Sequence, residues 1–98
     1  MELTQILTEA FAKPISAERA IGCGRIYVAI SDKEAAKNVA KAAKKIGKIF
    51  DKRSHYGTSN ALYIGYDNCD GIALARGTAV VAALKAAGIS CYRDEHGD

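Results

Sequence analysis

The sequence has no tryptophan, a single proline, two phenylalanines, two histidines and three cysteines. Each shortage removes a class of explanation. No apolar run approaches the roughly 18 residues of a membrane span, so no membrane partner is expected. The opening Met1–Glu2–Leu3–Thr4 carries no basic stretch, so no signal peptide is expected. Cys23, Cys69 and Cys91 are odd in number and widely spaced. That pattern suits a thiol-containing cytoplasmic protein better than a disulfide framework. His55 and His96 show no zinc-ligand spacing with those cysteines, so no metal and no cofactor is expected.

What is present is apolar and small. The chain has 98 residues, 49% of them hydrophobic, and a net charge of +3. Alanine accounts for 18 residues, and Leu, Ile, Val and Phe together for 21. That length suits one domain with one real core, and so much alanine implies thin, closely packed faces.

Periodicity orders the chain. Leu3, Ile6, Leu7, Ala10 and Phe11 recur at helical spacing, and Pro14 stops that helix or lies just past it. Ser16–Ile21 is expected to add one more turn, so residues 3–21 form an N-terminal helical extension. Residues 24–93 read as strand, helix, strand, strand, helix, strand. In Arg25–Ile30, Ile26, Val28 and Ile30 share one face while Arg25, Tyr27 and Ala29 share the other. Ser31 and Glu34 have the spacing of a capping box for the next helix. That helix buries Ala35, Ala36, Val39, Ala40, Ala43 and Ile46 and ends at Gly47. Lys48–Arg53 is a second strand and Ala61–Tyr66 a third, with Leu62, Ile64 and Tyr66 expected on one side. Asp67, Asn68 or Asp70 caps a second long helix. Its predicted stripe is Ile72, Ala75, Ala79, Val80, Ala83, Leu84 and Ala87, with Gly88 as its end. Gly77 within it suggests close approach to the sheet. Ile89–Arg93 is the last strand, and 94–98 an acidic tail expected to fray.

This order is the ferredoxin-like βαββαβ pattern, an α+β sandwich with two helices on one face of an antiparallel four-stranded sheet. The handedness of crossovers puts its first and third strands at the centre. Three regions of it can carry function. Tyr27, Tyr63 and Tyr92 are expected on the sheet face away from the long helices, with Arg25 beside them and Arg93 turned inward or at the frayed end. The N-terminal helix needs a surface, and this face is the vacant one, so the tyrosines are expected to pack under that helix or a second subunit. The second region is basic: from Asp32 to Arg53 stand eight Lys/Arg and three acids. Its Lys37, Lys41 and Lys44 are candidates for docking on a partner, beside the plain reading of a solvated helix face. The third is the polar loop Arg53–Asn60, where Arg53, His55 and Tyr56 are candidate partner-binding residues. No base–nucleophile pair or paired carboxylates can be assembled, so no catalytic residue is expected and the protein is read as a non-enzyme.

Ile26–Tyr27–Val28 and Ala61–Leu62–Tyr63–Ile64–Gly65–Tyr66 resemble the two aromatic strand motifs of RNA-recognition motifs. The resemblance implies stacking of RNA or single-stranded DNA bases on Arg25, Tyr27, Tyr63 and Tyr92. Where that family's third strand begins with a basic residue, glycine and an aromatic, this sequence has Ser59, Asn60 and Ala61. The small size, and the segments Ala20–Ile21–Gly22–Cys23–Gly24–Arg25–Ile26–Tyr27 and Tyr63–Ile64–Gly65–Tyr66–Asp67–Asn68, resemble small phage or prophage proteins of the anti-CRISPR type. That resemblance implies a viral, stoichiometric inhibitor docking on a host protein or nucleoprotein complex. The basic charge argues against mimicry of DNA. A homodimer pairing sheet faces is the third reading.

Overall fold

The computed structural model describes residues 2–17, 24–53 and 59–97. Among them it has three helices and four strands: α1 Leu3–Ala12, β1 Gly24–Ile30, α2 Lys33–Lys45, β2 Phe50–Arg53, β3 Ser59–Asp67, α3 Ile72–Ala86 and β4 Cys91–Gly97. The fold is α+β, with an antiparallel sheet in the order β2-β3-β1-β4. β1 and β3 are central, as crossover handedness requires. The extra turn expected over Ser16–Ile21 falls largely outside the described residues.

The core lies between the sheet and α2 and α3. Val28, Ile30 and Leu62 rise from the sheet to meet Ala36, Val39, Val80 and Leu84, all buried. Full burial of each large aliphatic side chain is worth about 1.5–3 kcal/mol. Alanines let the layers approach: Ala36, Ala42 and Ala43 are the small members of the buried α2 face. Gly77 does the same on α3. A Cβ there would lie 3.1 Å from both Ile26 Cγ2 and Arg93 Cδ.

Both long helices end alike. Gly47 is left-handed (φ 74°), and Lys48 donates its amide to Ala43 while Gly47 donates to Lys44. Gly88 is left-handed (φ 82°), with Ile89 donating to Leu84 and Gly88 to Lys85. These paired bonds satisfy carbonyls that a helix end leaves open.

Five expectations are corrected. The helix α2 is capped by Asp32, whose Oδ2 accepts the amide of Ala35 at 2.8 Å, and not by Ser31. Ile72 is exposed, and Leu74 takes its place in the buried stripe of α3. The segment 94–97 does not fray: Asp94, Glu95, His96 and Gly97 pair with Tyr27, Ile26, Arg25 and Gly24. The expectation of thiols alone fails, because Cys69 is disulfide-bonded. Cys91 is free and buried, and Cys23 lies outside the described residues. Finally, α1 does not cover the open sheet face. Its backbone lies against α3 and α2 and near no strand, with Leu7 and Ala10 buried in the common core.

Arg76 explains where α1 goes. Its Nη1 donates to the carbonyls of Ala10 and Lys13, at 2.7 and 2.6 Å. These belong to the last turn of α1 and the residue after it, where helix carbonyls lack partners. Lys48 adds a cation over the Phe11 ring, 4.4 Å from its centroid.

Candidate binding faces

The sheet face opposite α2 and α3 is built by alternation. β1 turns Arg25, Tyr27 and Ala29 to it. Register then fixes three rows across the strands. One runs Asp51, Ala61, Ala29, Tyr92. The next holds Tyr63, Tyr27 and Asp94, with Ile49 ahead of β2 beside Tyr63, whose amide donates to the Ile49 carbonyl. The last holds Tyr66, Arg25 and His96.

Tyr66 belongs here because the strand slips. Ile26 pairs with Gly65 but Tyr27 pairs with Tyr63, so Ile64 is an extra residue in β3. A bulge reverses the parity of everything beyond it. Ile64 and Gly65 both turn toward the helices, and Tyr66 is thrown to the other face. Plain alternation from Leu62 assigns Tyr66 inward, so sequence reasoning missed it. Gly65 between apolar neighbours is the signal that pointed to a bulge.

The four tyrosines are not equivalent. Tyr92 is 53% exposed and Tyr66 44%, and Tyr63 is half-buried. Tyr27 is buried at 6% and serves as a support instead of a contact. Its ring meets Tyr63 edge-on at 5.3 Å and His96 at 5.7 Å. Ala29 and Ala61 are also buried. His96, assigned beforehand to a frayed tail, is held by Asp94 through Nε2 at 3.0 Å. Arg25 is half-buried beside this cluster. Arg93 takes the inward one of its two expected places, bonding the Leu74 carbonyl, the Thr78 hydroxyl at 2.7 Å and Glu95 at 2.9 Å.

Lys37, Lys41 and Lys44 are exposed on α2, with Lys33 and Lys45. The helix layer separates them from the tyrosines. Lys37 meets Glu34 at 3.5 Å, an exposed pair of little strength. His55 and Tyr56 lie outside the described residues, and of Arg53 only its backbone place in β2, opposite Ser59, is described. A groove of about 940 Å³ runs between α1 and α3 and is lined mostly by alanine. Glu9 and Lys13 are its charged residues. Among the described residues no cluster of His, Cys, Asp and Glu is arranged to hold a metal, and no helix is long and apolar enough to cross a membrane.

No family model, no curated protein and no solved structure matches this chain.

Proposed function

We propose that the protein is a non-catalytic binding module, on a ferredoxin-like frame, whose tyrosine face receives single-stranded RNA or DNA. One observation carries the reading: Tyr66 and Tyr92 stand exposed on the sheet face away from α2 and α3, while α1 is tied behind those helices. Aromatic rings on a rigid sheet suit stacking of bases without regard to sequence. Arg25, in one row with Tyr66 and His96, supplies a cation beside the rings. Labelled RNA and DNA oligonucleotides titrated at near-physiological salt test this. Tyr63→Ala and Tyr92→Ala should each weaken the complex about five-fold or more. No micromolar complex, or one indifferent to both changes, removes the reading.

A second reading is favoured by the exposed lysines of α2. It is a phage-type stoichiometric inhibitor, similar to anti-CRISPR proteins, docking on an acidic surface of a host nucleic-acid-handling complex. Reversal of Lys37, Lys41 and Lys44 to Glu should then abolish a complex that survives nuclease treatment. Either reading puts the protein in the cytoplasm, a compartment in which a disulfide such as that of Cys69 is uncommon.

A further inference from the structure

Among the described residues β2 is an edge strand, and it combines outward backbone groups with a cationic groove. In an antiparallel ladder, alternate residues of an edge strand turn their backbone groups outward. The Tyr63 amide donates to the Ile49 carbonyl at 2.9 Å, while Asp51 lies opposite Ala61 and Arg53 opposite Ser59. Ile49, Asp51 and Arg53 therefore address β3, and Phe50 and Lys52 address the open edge. The same two residues face the helix layer, because Phe50 pairs with the inward Leu62. Between them and α2 runs a groove of about 240 Å³. Phe50, Ala36 and Ala40 form its apolar part, and Lys33, Lys37 and Lys52 bring it three cations.

We propose that this edge takes an acidic, extended segment of a partner protein as a fifth strand. The inference rests on the docking reading of the lysine side and not on the tyrosine face. The added backbone bonds the outward groups of Phe50 and Lys52, as peptides do on other sheet edges. Its inward side chains enter the groove. An apolar one covers Phe50 between Ala36 and Ala40, and carboxylates beside it meet Lys33, Lys37 and Lys52. The charge also selects. Lysine on a short edge strand deters neutral and basic strands, including the Lys52–Arg53 edge of another copy, and admits an acidic one.

A ten-residue peptide, Glu-Thr-Val-Thr-Glu-Thr-Val-Thr-Glu-Thr, which alternates Glu and Val along one face of a strand, is the probe, and amide hydrogen exchange of the full chain is the readout. The expected result is protection of the Phe50 and Lys52 amides, with Tyr63→Ala having no effect. The same peptide with Lys in place of each Glu should give none. The triple change Lys33→Glu, Lys37→Glu, Lys52→Glu should weaken the acidic peptide about tenfold or more, with circular dichroism unchanged because all three lysines are exposed. Absence of protection by millimolar peptide overturns the proposal without using any variant. So does equal protection by the basic peptide, or displacement of the acidic peptide by a single-stranded oligonucleotide. Concentration-dependent oligomers lost in the triple variant would assign the edge to the acidic β4 of a second copy, and also overturn it. If the Lys37, Lys41, Lys44 variant loses a protein partner while the peptide protects nothing, the docking reading stands and this inference falls.

Discussion

Asp67 shows how one side chain sets a local structure. It ends β3 with no exposed surface. A carboxylate in that place is costly unless donors surround it. Its Oδ1 accepts the Gly71 amide at 3.1 Å and its Oδ2 the Leu74 amide at 3.0 Å. The N-cap position of α3 is Gly71, left-handed at φ 76° and without a side chain to cap with. Asp67 supplies that cap from the neighbouring strand, and Asp70 adds a bond to Ile72. Burial pushes the Asp67 carboxyl up, but the amides of Leu74, Gly71, Cys69 and Asp70 outweigh it and hold it below its ordinary 3.8. A depressed folded value means stability fully present above the unfolded value and lost as pH falls through the folded one. Asp67→Asn should therefore cost about 1–3 kcal/mol at pH 7. Urea unfolding of both proteins should show that gap closing as the pH is taken below 3.8. Cys91 is shifted the other way: burial raises its thiol, against the pull of Lys85, so it stays protonated and unreactive at neutral pH.

At the scale of elements, a glycine within a helix and one within a strand behave differently. A Cβ at Gly77 meets Ile26 and Arg93 at 3.1 Å. Arg93 cannot yield, because Leu74, Thr78 and Glu95 pin it. Gly77→Ala gains up to about 1 kcal/mol of helix propensity. Overpacking costs about 1–3 kcal/mol, so a net loss of about 1 kcal/mol is expected. A Cβ at Gly65 meets only Ala73 Cβ, at an ordinary 3.7 Å. Gly65→Ala should be neutral or stabilise by up to about 1 kcal/mol. Thermal melts of the pair check both signs. Elements with a strong period were legible in the sequence: β1, α2 and α3 stand where alternation and helical spacing put them, and Gly47 and Gly88 end the helices as expected. The candidate site was only partly legible. Tyr27 and Tyr63 do face each other, but alternation cannot count an extra residue, so Tyr66 was misplaced by the bulge at Ile64. Asp94 and His96 look like a polar tail because neither is apolar. They are ordered by pairing with β1, a long-range contact that no local pattern encodes.

The whole molecule is a stack of sheet, long helices and α1, and the stack decides which surfaces remain for binding. Sequence logic sent α1 to the vacant sheet face because an amphipathic helix needs a surface. The helix layer offered a better one. Alanines on the outer side of α3 leave room there, and Arg76 holds two terminal carbonyls of the α1 end. A charged donor on two backbone acceptors is strong, and losing it leaves both carbonyls to water. Tyrosine face, lysine groove and α1 therefore lie on separate parts of the stack and should respond separately. Arg76→Ala is the test of that independence. It should speed amide exchange through α1 by about tenfold or more, equivalent to a charged bond of about 1.5–3 kcal/mol. Exchange in β1 and β3 should stay at the wild-type rate, because the α1 backbone lies near no strand. Oligonucleotide binding by Tyr63 and Tyr92 should also be unchanged. If loosening α1 instead slows oligonucleotide release or accelerates exchange across the sheet, α1 is coupled to the tyrosine face, and the layers do not act as separate surfaces.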